Sequence, residues 1–98
     1  MGVMILLKRM LIINPVDNVG VVLENVEKGD EVTAHGVKVT SLENIEFAHK
    51  IALRDFLPGE EITKYGESIG YALKNIKKGE WVHIHNLDCE RARTGRLV

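Results

Sequence analysis

Ile76-Lys77-Lys78-Gly79-Glu80-Trp81-Val82 decides how this chain is read, because the same plan occurs twice before it. Val26-Glu27-Lys28-Gly29-Asp30-Glu31-Val32 and Phe56-Leu57-Pro58-Gly59-Glu60-Glu61-Ile62 each place an apolar residue three before a glycine, an acid just after it and an apolar residue three beyond. The plan describes a tight turn that delivers the chain into a new strand, with glycine free to take a positive φ. Gly29, Gly59 and Gly79 are unevenly spaced, so the phrase reads as a recurring turn device and not as a solenoid repeat.

The segments around these turns carry strand signals. Leu11-Ile12-Ile13 is a short buried-type run stopped by Pro15, and Asp17-Asn18 makes a turn before the β-rich run Val19-Gly20-Val21-Val22-Leu23. Long stretches of helical spacing are absent; Tyr65 to Ile76 has room for a helical turn or two, weakened by Gly66 and Gly70. The expected fold class is mainly β, a compact unit of short strands and turns.

The bulk composition bounds the function. The 98 residues suit one domain, which buries about 60–65% of its unfolded surface. A net charge of -1 gives no electrostatic case for nucleic acid or an anionic membrane. The single cysteine, Cys89, cannot form an internal disulfide. Met4 to Leu7 and Met10 to Ile13 are apolar but divided by Lys8-Arg9, too short for a membrane span and unlike a secretory signal. The expectation is a cytoplasmic protein without a membrane segment.

The residues with chemistry to offer sit in three places. Trp81-Val82-His83-Ile84-His85-Asn86 reads as a strand, with Trp81, His83 and His85 on one face and Val82 and Ile84 on the other. Two imidazoles at that spacing can converge on one ion or ligand, as acid–base groups or as metal contacts. No third ligand follows at metal-motif distance, and a plain polar strand face is the alternative. Alternation through His49-Lys50-Ile51-Ala52-Leu53-Arg54 puts His49, Ile51 and Leu53 on one face and Lys50, Ala52 and Arg54 on the other, where a cation could hold a carboxylate or sulfonate. Lys64-Tyr65-Gly66 reads as an exposed turn with two donors for an anion. Cys89 lies near Arg91 and Arg93 without a histidine partner in sequence, and reads as incidental. Walker-type loops, dinucleotide glycine loops, CxxC pairs and GxSxG elbows are absent.

Three blocks in order, HK-x-A-L-x-D from His49, G-E-x-I-x-K-Y-G-x-x-I-G from Gly59 and W-V-H-x-H-N from Trp81, resemble the SAF-type domain of the altronate/galactarate dehydratase family. The likeness reaches back through Asn14-Pro15 and Asp17-Asn18-Val19, so it covers most of the chain. It implies a β-clip fold over residues 11–88, with 1–10 as an N-terminal extension and 89–98 as a basic tail. In that family the domain is part of a long dehydratase or a separate small subunit; the chain ends just past the domain, so the separate form is expected, with a large catalytic subunit as partner and a homo-oligomer open.

The resemblance implies a lyase that dehydrates an altronate-like sugar acid to a 2-keto-3-deoxy acid. The same small-subunit pattern occurs in sulfolactate sulfo-lyase, which expels sulfite from a sulfonated hydroxy acid. A carbohydrate-acid binding module without catalytic residues is the other alternative. On this resemblance His83 and His85 are acid/base groups or metal contacts, and His49, Lys50, Lys64, Tyr65 and Asn86 bind or orient the substrate. Divalent iron or a similar ion is implied, held mainly by the large subunit.

Overall fold

The computed structural model describes residues 7–89. The rest of the expected basic tail after Cys89, and the first six residues of the expected extension, lie outside the described residues. Those described form nine strands and no helix: β1 Leu7–Leu11, β2 Val19–Val22, β3 Glu31–Ala34, β4 Val37–Thr40, β5 Lys50–Ala52, β6 Glu61–Lys64, β7 Glu67–Ala72, β8 Trp81–Val82 and β9 Leu87–Asp88. They build a sheet in the order β4-β3-β1-β2-β5-β8 and a second in the order β6-β7-β9. The fold class is mainly β, of the SAF type.

Two boundaries differ from expectation. β1 begins at Leu7, pairs in parallel with β3 and antiparallel with β2, and buries Met10 at 4% exposure. Residues 7–10 therefore belong to the fold and not to an extension. The stretch from Tyr65 to Ile76 holds no helical turn. Tyr65 and Gly66, at φ 58° and 79°, form a two-residue hairpin loop of the kind whose twist matches that of its strands. Gly70 cannot be replaced cheaply, since a Cβ there would overlap the Asp88 carbonyl of β9.

Hydrogen bonding reveals a duplication. Val26 and Ile45 exchange backbone bonds across an isolated bridge, and Phe56 and Ile76 do the same. Gly29 N–H donates to Ser41 O at 2.8 Å, as Gly59 N–H does to Ala72 O at 2.7 Å. Ala48 N–H donates to Val22 O at 2.9 Å, as Gly79 N–H does to Ala52 O at 2.9 Å. Each copy consists of a strand, a turn, a hairpin and a second turn. The later copy carries one extra residue, Ile69, where Ile62 pairs with Gly70 but Thr63 pairs with Ser68. The turn device is thus part of a two-copy tandem repeat, concealed in sequence because the fourth turn has Ala48 where the others have glycine.

The duplication extends to the core. Val22, Val26, Val32, Ile45 and Ile51 pack in one cluster, and their counterparts Ala52, Phe56, Ile62, Ile76 and Val82 pack in the other. Burying a side chain of the size of Val, Ile or Phe stabilises by about 1.5–3 kcal/mol, so these matched positions hold the register of each copy. β5 serves both clusters, with Ile51 and Ala52 each fully buried on opposite faces.

The acid of the turn phrase has a local duty. Asp30 Oδ2 accepts from Glu27 N–H at 2.9 Å, Glu60 Oε1 from Leu57 N–H at 2.6 Å, and Glu80 Oε1 from Lys77 N–H. Each carboxylate thereby closes its own turn, a side-chain cap on a backbone donor. In the fourth turn His49 stands in the acid's place. No helix among the described residues is long and apolar enough to cross a membrane.

The β6–β7 hairpin is pinned by the loop after β1. Asn18 Oδ1 accepts from Thr63 N–H at 2.7 Å while its Nδ2 donates to Glu61 O at 3.0 Å, an amide standing in for a strand partner. Asp17 Oδ1 accepts from Gly66 N–H at 2.8 Å. Desolvation pushes the Asp17 carboxyl upward, but bonds from the N–H groups of Gly66, Tyr65, Asn14 and Ile13 together outweigh it and hold it below its ordinary value.

Candidate functional site

The site grows from the β5–β8 pairing. Lys50 lies opposite Val82 and Ile51 opposite Trp81, so His49 and His83 follow as cross-strand neighbours. Their rings stack at 5.2 Å between centroids, 26° between planes. Trp81 stacks on both, at 5.6 Å from His49 and 5.3 Å from His83. His85 tilts against Trp81 at 4.8 Å and 39°. Three histidines and one indole form a single aromatic cluster.

The expected strand through Asn86 ends at Val82. From His83 the chain turns, with Asn86 N–H and Leu87 N–H both donating to His83 O at 3.0 and 2.9 Å. The cause is Asn86, whose Oδ1 accepts from His83 N–H at 2.9 Å and whose Nδ2 donates to Trp81 O at 2.8 Å. Period-two alternation therefore fails: Ile84, expected to share a face with Val82, is 74% exposed while Val82 is fully buried, and His85 is exposed as well. Asn86, expected to touch substrate, is 3% exposed with its amide bonded to both ends of the turn. It shapes the site from below.

Trp81 is fixed at its backbone too. Its N–H donates to Glu43 Oε2 at 2.9 Å, and its carbonyl takes the Asn86 bond. Its indole Nε1–H donates to His49 Nδ1 at 3.0 Å. The sequence pattern places Trp81 only on a shared face with the histidines; the indole bond depends on the ring's position and leaves no spacing signal. His49's placement had a signal, because Ile45 and Ile51 flank Ala48 at the turn phrase's own spacing.

The electrostatics are one-sided. Lys50 is half-buried, and desolvation, then the charge of Lys64, push its ammonium below the ordinary lysine value, with Cys89 pulling the other way. His83 is lowered by desolvation first, then by the charges of Lys50, His49 and His85. Among the described residues no carboxylate forms an ion pair with Lys50 or Lys64. The structure thus groups His49, Lys50, His83 and His85, and brings Lys64 and Cys89 within electrostatic reach of Lys50. Tyr65 lies apart at the hairpin tip, 47% exposed, with Lys64 Nζ 4.9 Å from its ring centre.

A cluster of imidazoles beside lysine ammonium groups can hold an anion and move a proton beside it. It is a poor metal cage by itself. Among the described residues no three His, Cys, Asp or Glu side chains are placed to hold one ion, and the histidine rings stack face to face instead of converging their nitrogens.

A family model described as the altronate/galactarate dehydratase SAF domain matches residues 8–90. Altronate dehydratase of Bacillus subtilis is 38% identical over 80 residues, covering 82% of this chain and 16% of that protein. Altronate dehydratase of Escherichia coli is 42% identical over 74 residues, covering 76% and 15%. The alpha subunit of (2R)-sulfolactate sulfo-lyase from Chromohalobacter salexigens is 35% identical over 82 residues, covering 76% of this chain and 87% of that subunit. The chain spans about a sixth of the dehydratases it matches.

Proposed function

The chain belongs to the altronate/galactarate dehydratase SAF-domain family, and on that premise we propose that it works as the small subunit of a carbon–oxygen lyase. The enzyme would dehydrate an altronate-like sugar acid to a 2-keto-3-deoxy acid, in the cytoplasm, with a separate large subunit completing the active site. The observation that carries this reading is the open cluster of His49, His83 and His85 beside Lys50, a half-buried cation without a carboxylate partner among the described residues.

Dehydration removes the proton beside the substrate carboxylate, expels the neighbouring hydroxyl with a proton added, and leaves an enol that becomes the ketone. Lys50, with the charge of Lys64 within electrostatic reach, supplies positive charge for the carboxylate and for the enediolate-like charge of the transition state. His83, whose pKa is lowered by desolvation first and then by the charge of Lys50, suits the proton-accepting part. His85, exposed on the same turn, is free to meet a group from the large subunit or the leaving hydroxyl. Tyr65 in this reading meets substrate only when the large subunit covers the hairpin tip. Asn86 acts by holding the turn. The divalent metal, iron by family resemblance, is assigned to the large subunit, because among the described residues the donors do not converge on one ion.

A second reading is favoured by one match: a sulfolactate sulfo-lyase alpha subunit is aligned over 87% of its own length. The same cations would hold a sulfonate as readily as a carboxylate, with sulfite as the leaving group. The test is to assay the chain alone and co-purified with a large dehydratase subunit, on altronate, related sugar acids and sulfolactate. Turnover is expected only from the complex, and the best substrate chooses between the readings. Full turnover by the isolated chain, or wild-type activity in both His83→Ala and His85→Ala complexes, would sink the shared-site proposal. Loss of binding without further loss of kcat would leave a non-catalytic binding module.

A further inference from the structure

The indole of Trp81 and the imidazole of His49 are joined by a bond whose direction has only one solution. Indole Nε1–H is a donor and never an acceptor, so the His49 nitrogen 3.0 Å away must present a lone pair. That nitrogen is Nδ1, and a neutral imidazole with a bare Nδ1 carries its proton on Nε2. The partner's bond sets the tautomer, as a carbonyl or carboxylate does for histidines at other sites.

The indole is well placed to impose this. Its backbone is held by Glu43 on one side and Asn86 on the other. Its ring is stacked on His83, 12° from coplanar, while His49 stacks against both. His49 is thereby restrained in ring plane as well as in proton position. Its backbone lies at the turn position that elsewhere carries a capping acid, so its side chain has no local duty.

We propose that Trp81 is a positioning residue that holds His49 as the Nε2–H tautomer, so that His49 offers the substrate a hydrogen-bond donor and leaves proton abstraction to another histidine. The oxygen it serves is that of the carboxylate or of the enediolate that forms from it, where a fixed donor in a water-poor site stabilises developing charge. The donor part rests on the lyase reading above; the tautomer does not.

Two measurements test it. In nitrogen-labelled full-length chain, a through-hydrogen-bond coupling between Trp81 Nε1 and His49 Nδ1 is expected, and it vanishes in Trp81→Phe, which keeps an aromatic ring but has no N–H. In the two-subunit enzyme, Trp81→Phe should lower kcat by about tenfold to a hundredfold, the scale of lost support behind an active-site histidine, with a smaller change in KM. His49→Gln retains a donor and cannot act as a base of comparable strength, so it should keep at least about tenfold more activity than His49→Ala. No coupling in the folded wild-type chain overturns the positioning role. Equal inactivity of His49→Gln and His49→Ala overturns the donor role. If the coupling is present but the wild-type complex turns over none of the acids, the lyase reading fails and the donor role fails with it, while the imposed tautomer stands.

Discussion

Asn86 fastens the histidine turn to Trp81, donating from Nδ2 to the Trp81 carbonyl at 2.8 Å while its Oδ1 accepts from His83 N–H. Because Asn86 is buried, its removal leaves two backbone groups without partners. Asn86→Ala should destabilise the chain by about 1–3 kcal/mol, the usual cost of unsatisfied buried polar groups. Activity of the assembled enzyme should fall further, since His83 and His85 lose a fixed placement. Urea denaturation of the variant checks the first expectation; an unchanged midpoint would mean that the turn is held by its backbone bonds alone.

On the lyase reading, Lys50 places function and stability in opposition. Its ammonium is depressed because desolvation disfavours the charged form, so the fold works against the charge of this side chain. Lys50→Met, similar in length and apolar, should raise stability by about 0.5–2 kcal/mol while abolishing substrate turnover in the complex. A variant that melts earlier than wild type would contradict this expectation.

His83 should titrate below the ordinary 6.5, and Lys50→Met should move it back toward that value. A histidine lowered on folding binds its proton more readily in the unfolded chain, so its contribution is complete above 6.5 and is lost as pH falls from there through the folded value. Proton NMR of the histidine ring signals measures the shift, and identical titration in wild type and Lys50→Met would remove the lysine as a cause.

The four turns should respond to substitution by conformation and not by type. Ala48 is exposed and sits at φ 74°, where a side chain costs about 1–2 kcal/mol. Ala48→Gly relieves this, offset by about 0.4–1 kcal/mol of added freedom in the unfolded chain, for a small net gain. Gly79→Ala should instead cost about 2–3 kcal/mol, since φ is 94° and a Cβ would overlap the Thr40 carbonyl. Thermal melts of the two variants should move in opposite directions; movement in the same direction contradicts the equivalence of these turns.

The sequence made the strand class legible because three glycine turns with flanking apolar residues leave little room for helices. It hid the duplication because the fourth turn replaces glycine with Ala48 and the acid with His49, the two marks by which the others are found. His49, Lys50, His83 and His85 were visible as chemistry-bearing residues, and they do gather, with Lys64 within electrostatic reach of Lys50. Their arrangement was not visible, for two reasons. Alternation assumes a strand, and Asn86 converts His83 to Asn86 into a turn through side-chain bonds that no period encodes. The Trp81–His49 bond joins positions in different copies and depends on pairing between β5 and β8.

The exception at His49 also sets a limit on redesign. Three of the turns spend a carboxylate on their own backbone; the fourth has been excused from that task, and its side chain reaches across to the neighbouring strand instead. Restoring the rule at that one corner, by Ala48→Gly with His49→Glu, would turn this chain into a more regular duplicate of itself. Such a molecule should be a sturdier scaffold and an inert one. On the lyase reading, irregularity in one quarter of a repetitive architecture is where this protein would keep its capacity to react.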